Sequence, residues 1–242
     1  MGSFLIVGGS SDIGQILCRS LLSNGHSVSV IGRDESRMIE LHELGAIVHT
    51  GDATDEDFVS MAVGSFAEIG EGNIDGVAHL VGSLSIRPPH AMSSEAFNQV
   101  IQTNLTSAFI TLSKSCKYML RNGGGRIVFT SSVAASLGLT NHEAISAAKG
   151  GVESMTRSAA ATYSKRGIRV NAVAPGLTDT RMAAPITKSE SSREAAVGKI
   201  PLNRINLPEE AARAIEWLLI GAPDNITGQI LHLDGGMSQI RG

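Results

Sequence analysis

The sequence has little cysteine, no long apolar run and no cluster of positive charge. Cys18 and Cys116 are its only cysteines among 242 residues and lie far apart, so neither a disulfide framework nor a zinc site is predicted, and no metal is expected. No stretch reaches the roughly 18 apolar residues that a membrane span needs, and Met1 leads into apolar residues without a basic leader. These features predict a cytoplasmic protein with no membrane association. The formal net charge of -3, without a run of Lys or Arg, also argues against nucleic acid as a partner.

Hydrophobic residues are abundant and regularly distributed. They make up 42% of the chain, against 18% charged residues, a balance typical of a globular protein with a sizeable core. Short apolar runs alternate with longer amphipathic stretches, which predicts an α/β fold with a doubly wound, seven-stranded, mostly parallel sheet and helices on both faces. The predicted strands are Phe4–Val7, Ser27–Ile31, Ala46–His49, Gly76–Leu80, Arg126–Thr130, Ile168–Val173 and Gln229–Leu233. The whole chain, 1–242, is predicted to form one domain, in which residues 181–207 form a loop or short-helix lid near the site.

A glycine-rich turn follows the first predicted strand and precedes a helical run. It reads Val7-Gly8-Gly9-Ser10-Ser11-Asp12-Ile13-Gly14. Small residues let the backbone approach a pyrophosphate, and the helix N-terminus offers free N–H groups; the alternative is a plain strand-to-helix turn. The turn resembles the phosphate turn of the short-chain dehydrogenase/reductase family, which implies a nicotinamide cofactor held by Gly8, Ser10, Ser11, Asp12, Ile13 and Gly14. Two positions depart from the family pattern: Val7 replaces Thr, and Asp12 replaces the middle glycine, where it can cap the helix but also places an anion near the phosphate.

Further marks of this family follow in the expected order along nearly the whole chain. The resemblance implies a Rossmann-type fold, adenine binding by Asp52 and Ala53, and a glycine, Gly82, after the fourth strand. It implies a nicotinamide-end contact from Pro175, Gly176 and Thr180, and a proton relay supported by Asn104. It also implies a homotetramer assembled through helices spanning roughly 96–120 and 142–163. Taken singly, Asp52 is also typical of a helix cap, and Asn104 of a helix surface.

One family mark is missing after the fourth strand. The family commonly shows Asn-Asn-Ala-Gly there, and this chain has His79-Leu80-Val81-Gly82. A lone histidine beside apolar residues at a strand end is predicted to be a packing residue.

The end of the second strand bears on the choice of cofactor. An acidic residue there binds the ribose 2′-hydroxyl of NAD, whereas an arginine accommodates the 2′-phosphate of NADP. This strand ends in Ile31-Gly32-Arg33, so NADP(H) is favoured over NAD(H). Asp34 opposes this prediction, because it can occupy Arg33 in a salt bridge, and so does Ser11, where many NADP-using relatives carry a base.

The catalytic frame is present, but one residue of it is changed. In the family a Ser polarises the carbonyl, a Tyr thirteen residues later transfers the proton, and a Lys four residues further lowers the Tyr pKa and holds the nicotinamide ribose. Ser132 and Lys149 keep this spacing, but position 145 is Ile145, which has no proton to give.

Three consequences stay open. In the first, another group replaces the phenol: Thr140 and Glu143 have capping-box spacing, so the helix is predicted to start near Thr140, with His142 in its first turn. His142, and less so Ser146, would then lie on one stripe with Lys149 and donate the proton. In the second, Ser132 and water, or the substrate itself, complete the transfer. In the third, the protein binds the cofactor and has lost the reaction.

These features together predict an NADP-preferring oxidoreductase of short-chain dehydrogenase type that acts on a carbonyl or secondary alcohol. Ser132, Lys149, Asn104 and His142 are the candidate catalytic residues. The substrate pocket is predicted to be lined by Ser83–Pro89, Ala134–Leu139 and residues 177–200, which favours a small apolar substrate. The alternative is a catalytically impaired sensor or scaffold subunit that binds NADP(H).

Overall fold

The computed structural model describes residues 1–70 and 73–240, and these form a seven-stranded sheet. The strands are β1 (Ser3–Val7), β2 (Ser27–Gly32), β3 (Ile47–Thr50), β4 (Gly76–His79), β5 (Gly125–Thr130), β6 (Ile168–Pro175) and β7 (Ile230–Leu233). They lie in the order β3-β2-β1-β4-β5-β6-β7, and every neighbouring pair is parallel. The predicted strands are confirmed, with ends that differ by one or two residues.

Helices connect the strands. They are α1 (Asp12–Ser23), α2 (Ile39–Glu43), α3 (Glu56–Ile69), α4 (Ser94–Ile101), α5 (Ser107–Met119), α6 (Glu143–Tyr163), α7 (Ala184–Thr187), α8 (Glu190–Val197) and α9 (Pro208–Glu216). A π-helical turn, Gln102–Thr106, joins α4 and α5 into one long helix. Residues 181–207 hold a short 3₁₀ helix, α7 and α8.

Two apolar layers cover the two faces of the sheet. One layer packs β-strand side chains against α3, α5 and α6, with Phe66 and Phe129 fully buried in it. The other packs the opposite face against α1, α2 and α9, around Leu17, Leu21 and Ile215. The inner strands β1, β2, β4 and β6 are buried on both faces, so their sequences are largely apolar rather than alternating. This is why short apolar runs identified them, although the edge strands β3 and β7 are only partly buried.

The strand order places a crevice at one edge of the sheet. The order reverses between β1 and β4, whose following loops turn to opposite faces, and in open α/β sheets ligands bind outside the carboxyl ends of the strands at this point. Among the helices of the described residues, none combines the length and the apolar character that crossing a membrane requires.

Candidate active site

The carboxyl ends of β1, β2 and β4 and the turn after β3 surround a cleft, here called the cofactor cleft. Its volume is about 200 Å³, and it is lined by Gly8, Ser10, Ser11, Ile31, Gly32, Arg33, Gly51, Asp52, Ala53, Leu80, Val81, Gly82, Thr103, Arg181 and Met182. The structure therefore brings together the predicted residues Gly8, Ser10, Ser11, Arg33, Asp52, Ala53 and Gly82. The other predicted cofactor-binding residues are not part of its lining: Asp12, Ile13, Gly14, Lys149, Pro175, Gly176 and Thr180.

Residues 7–14, here called the phosphate turn, leave no space for a side chain at Gly8. Gly8 has a φ of +93°, and a methyl carbon on it would lie 3.0 Å from the backbone of Leu80 and Val81. Ser11 then caps α1: its hydroxyl donates to the Gly8 carbonyl at 2.7 Å and accepts from the Gly14 N–H at 3.0 Å. The alternative that Asp12 caps the helix is wrong, because Asp12 is the first helical residue and Ser11 occupies the capping position.

The Asp12 carboxylate is paired with two arginines from distant parts of the chain. It accepts hydrogen bonds from Arg37 Nη2 at 2.6 Å, Arg181 Nε at 3.1 Å and the Arg181 backbone N–H at 2.8 Å. Burial by itself would raise the pKa of Asp12, but the hydrogen bonds and charges of Arg181 and Arg37 outweigh it and hold the pKa below its ordinary value. Sequence reasoning missed both arginines, which lie 25 and 169 residues away and belong to no local motif.

At the end of β2, a side chain on Gly32 would have to displace the side chains of Met38 and Ser10. A methyl carbon on Gly32 would lie 2.7 Å from Met38 Sδ and 2.9 Å from Ser10 Oγ, and Met38 is fully buried. Arg33 follows with its side chain 72% exposed, and its Nη1 lies 3.8 Å from an Asp52 carboxylate oxygen. The expectation that Asp34 can occupy Arg33 is not met. Asp34 accepts a hydrogen bond from Ser36 instead, and the β2–β3 register, with Gly32 opposite Thr50, places Asp52 beside Arg33.

Lys149 and Ser132 lie at the carboxyl end of β5. Lys149 is buried, and its Nζ donates to the carbonyl of Thr130 at 2.7 Å. Burial lowers the pKa of this ammonium to about 8. The Ser132 hydroxyl accepts from the Ala134 N–H at 3.2 Å and begins a short 3₁₀ helix. Gly82 lies on the other side of Lys149, since a methyl carbon on Gly82 would be 3.5 Å from Nζ.

Asn104 is fully buried inside the π-helical turn rather than on a helix surface. Its amide nitrogen donates to Ser83 Oγ and to the Val100 carbonyl, both at 2.9 Å, and its Oδ1 accepts from the Ser83 N–H at 3.1 Å. Asn104 thus ties the long helix to the loop that follows β4, next to Gly82.

His79 is a packed core residue, as predicted. Its ring is buried, with Nδ1 2.9 Å from Thr111 Oγ1 and Nε2 3.1 Å from Ser107 Oγ. The Ser107 hydroxyl donates to the Thr103 carbonyl, so it accepts from Nε2–H. Burial, with a smaller effect of the Lys149 charge, lowers the pKa of His79 to about 3, so the ring is neutral and stabilises the fold.

Ile145 lies in an apolar cluster at the start of α6. It is 4% exposed and packs with Val100, Ala134, Ala144 and Ala148. Position 145 therefore contributes packing between α6, α4 and the segment after Ser132, and offers no polar atom there.

His142 precedes α6 instead of lying in its first turn. The helix begins at Glu143 because Asn141 adopts a left-handed backbone, with a φ of 63°, which a continuous helix cannot include. The expectation of a helix start near Thr140 is therefore wrong. The His142 ring turns back, and its Nδ1–H donates to the Thr140 carbonyl at 2.7 Å, so that Nε2 is the ring nitrogen not used in this bond.

The residues after β6 position the start of residues 181–207. The Gly176 N–H donates to the Leu233 carbonyl at 2.8 Å, which joins this loop to β7. The Thr180 hydroxyl donates to the Thr178 carbonyl at 3.4 Å, and Thr180 precedes the short helix that begins with Arg181. Pro175, Gly176 and Thr180 thus place Arg181 at the rim of the cofactor cleft.

A second, larger cavity lies beside α4 and the start of α6. Its volume is about 350 Å³, and it is lined by Arg87, Pro89, Met92, Ser93, Ser94, Phe97, Asn98, Glu143 and Ala144. Of the predicted substrate-pocket residues only Arg87 and Pro89 line it. It shares no lining residue with the cofactor cleft.

Comparison with known proteins relates this arrangement to a family of enzymes. A family model described as Enoyl-(Acyl carrier protein) reductase matches residues 8–238. The chain is 35% identical to the cis-4-hydroxycyclohexanecarboxylate dehydrogenase of Sinomonas cyclohexanicum, over 98% of this chain and 96% of that protein. It is 32% identical to the 3-oxoacyl-(acyl-carrier-protein) reductase MabA of Mycobacterium bovis, over 97% of this chain and 92% of that protein.

Solved structures resemble the whole fold. A short-chain type dehydrogenase/reductase from Mycobacterium ulcerans superposes with a TM-score of 0.93 at 31% identity, covering 100% of this chain and 91% of that one. ElxO with NADP bound superposes with a TM-score of 0.90 at 27% identity, covering 98% of each chain.

Proposed function

The chain belongs to the short-chain dehydrogenase/reductase family of NAD(P)-dependent oxidoreductases. From this premise we propose that it is an enzyme that prefers NADP(H) and acts on a small apolar carbonyl compound or secondary alcohol. The nicotinamide, when bound, supplies or accepts the hydride. The residues of this chain bind and orient both reactants and manage the accompanying proton.

The rim of the cofactor cleft carries the proposal. The phosphate turn presents backbone N–H groups at the start of α1, where a helix N-terminus favours an anion. Gly32 supplies no acid to bind a free 2′-hydroxyl, whereas the exposed Arg33 guanidinium can pair with a 2′-phosphate. These features fit a dinucleotide and favour the phosphorylated form.

Each residue at the catalytic end has a proposed role. The Ser132 hydroxyl hydrogen-bonds the substrate oxygen and polarises the carbonyl. Lys149 holds the nicotinamide ribose hydroxyls through its ammonium, and Asn104 keeps the loop after β4 in place beside it. His142 delivers the proton, and it must do so as the imidazolium, because neutral His142 keeps its one N–H on the Thr140 carbonyl.

Turnover tests this proposal. We expect wild type to consume NADPH with at least one member of a panel of small cyclic and linear ketones, and Ser132→Ala to lose most of this rate. Ser60→Ala is the control, because Ser60 is exposed on α3 and lines neither of the two cavities. Equal rates in wild type and Ser132→Ala would contradict the assigned role.

A sensor or scaffold subunit that binds NADP(H) without turning it over is the second candidate. The observation that favours it is that Ile145, packed among apolar residues, stands where the family has its proton-donating Tyr, whereas the cofactor cleft is present. The two functions differ in one result: a sensor binds NADPH tightly and oxidises none of it with any carbonyl of the panel.

We further propose that the protein is a homotetramer that uses α4, α5 and α6. Two exposed aromatic side chains support this assembly: Phe97 on α4 is 38% exposed and Phe109 on α5 is 58% exposed, and aromatic residues are enriched at protein–protein interfaces. Light scattering after gel filtration should give four times the chain mass of 25.3 kDa. A monomer at micromolar concentration would contradict the assembly.

A further inference from the structure

Asp12 is the one residue of the phosphate turn whose role the proposed function does not explain. A bare carboxylate at this place would repel a diphosphate bound at the start of α1. The structure instead surrounds it with the guanidinium groups of Arg37 and Arg181, so the three charged groups together carry one net positive charge.

The same two arginines also converge on the Ser10 carbonyl. Arg37 Nε donates to it at 2.7 Å and Arg181 Nη2 at 3.3 Å. Three separate parts of the chain meet here: the phosphate turn, the loop after β2, and Arg181. Arg181 is the first residue of the range 181–207, which is here called the lid segment. The cluster is thus a junction between the cleft and the segment that borders it.

Arg181 is placed to reach a ligand as well as Asp12. It lines the cofactor cleft together with Gly8, Ser10 and Ser11, and its side chain is 59% exposed. Its Nε and backbone N–H bind Asp12 and its Nη2 binds Ser10, while Nη1 has no hydrogen-bond partner among residues 1–70 and 73–240. A guanidinium held in this way offers a free edge to a phosphate.

We propose that Asp12 and Arg181 form a latch between the phosphate turn and the lid segment, and that Arg181, held by Asp12, contacts the diphosphate of a bound dinucleotide. Asp12 is then a positioning residue, and Arg181 a binding residue. This inference rests on the dinucleotide binding of the proposed function.

The latch and simple charge repulsion predict opposite signs for one substitution. If Asp12 only repels phosphate, Asp12→Asn strengthens NADPH binding. If Asp12 holds Arg181 in place, the same variant weakens NADPH binding by about tenfold, the scale of one partly exposed charge contact. Arg181→Met should weaken it at least as much, because it removes the contact itself.

The experiment is a double-mutant cycle on NADPH dissociation constants, with Asp12→Asn, Arg181→Met and the double variant. The latch predicts that the double variant binds NADPH no more weakly than Arg181→Met alone, because Asp12 acts through Arg181. Adenosine 2′-monophosphate, which carries no phosphate at its 5′ position and so has no part of the diphosphate, should lose less than threefold in every variant. Arg193→Met is the matched control, since Arg193 lies in the same lid segment and pairs with Asp179, at 3.5 Å, rather than with Asp12.

Limited proteolysis within residues 181–200 gives a second measurement that does not depend on affinity. NADPH should protect this segment from cleavage in wild type and Arg193→Met, and protect it less in Asp12→Asn. Each variant is digested the same number of degrees below its own melting temperature. Unchanged or tighter NADPH binding by Asp12→Asn, or additive losses in the double variant, would overturn the latch while the proposed function stands. A wild type that binds neither NADPH nor NADH would overturn both.

Discussion

Lys149 is a buried ammonium, and this burial should make the protein less stable than a variant without it. The pKa of Lys149 is lowered from 10.5 to about 8 in the fold, which corresponds to about 3 kcal/mol against folding at neutral pH. Lys149→Met removes that cost but leaves the Thr130 carbonyl without its donor, which costs about 1–3 kcal/mol. We therefore expect Lys149→Met to be as stable as wild type at pH 7, or more stable by up to about 2 kcal/mol.

The pH dependence separates the two contributions. Because the pKa in the fold is below that of the unfolded chain, the unfolded chain binds more protons between about pH 8 and 10.5, and wild-type stability rises with pH in this window. Between pH 7 and 9.5 wild type should gain about 2 kcal/mol relative to Lys149→Met.

Urea unfolding of both proteins at pH 7 and 9.5 measures this difference. Lys165→Met is the control, because Lys165 is exposed and lies after α6, outside the helices of the proposed tetramer; its loss should leave the pH dependence of stability unchanged. If the free energies of unfolding of wild type and Lys149→Met differ by the same amount at both pH values, the reasoning is refuted. Confirmation would mean that the protein keeps Lys149 for ligand binding at the expense of stability.

Three further substitutions test the site. Arg33→Ala should weaken NADPH binding by about 1–2 kcal/mol and leave NADH nearly unchanged, since Arg33 is exposed and screened by solvent; equal losses for the two nucleotides would contradict the NADP preference. Ile145→Tyr should destabilise the fold by about 1–3 kcal/mol through overpacking and raise kcat by about a hundredfold or more. Ile145→Phe should leave kcat unchanged, so equal kcat values in the two variants would show that the phenol has no effect. His142→Gln should lower kcat by about a hundredfold and leave the NADPH KM unchanged; an unaffected kcat would assign the proton to water or substrate.

Local chemistry made the sheet and the phosphate turn predictable. Strands buried on both faces are continuous apolar runs bounded by turn residues, and the small residues from Gly8 to Ser11 suit a close backbone approach wherever a strand leads into a helix. The start of α6 was misplaced because the spacing of Thr140 and Glu143 fits a capping box, while the left-handed backbone of Asn141 leaves no trace in that spacing.

Contacts between distant segments could not be predicted from the sequence. Asp34 is adjacent to Arg33 in the chain, yet strand register gives Arg33 a different partner, Asp52. In the same way, the effect of Asp12 on a phosphate depends on Arg181, which lies 169 residues away. The sign of an electrostatic effect at the phosphate turn is therefore a property of the folded chain.

Calorimetric titration of NADPH and NADH into wild type and Lys149→Met tests the central claim most directly. The account predicts that wild type binds NADPH more tightly than NADH and that Lys149→Met loses most of this affinity, because the ammonium holds the ribose. Absence of binding by either nucleotide, or a preference for NADH, would contradict an NADP(H)-dependent function for this protein.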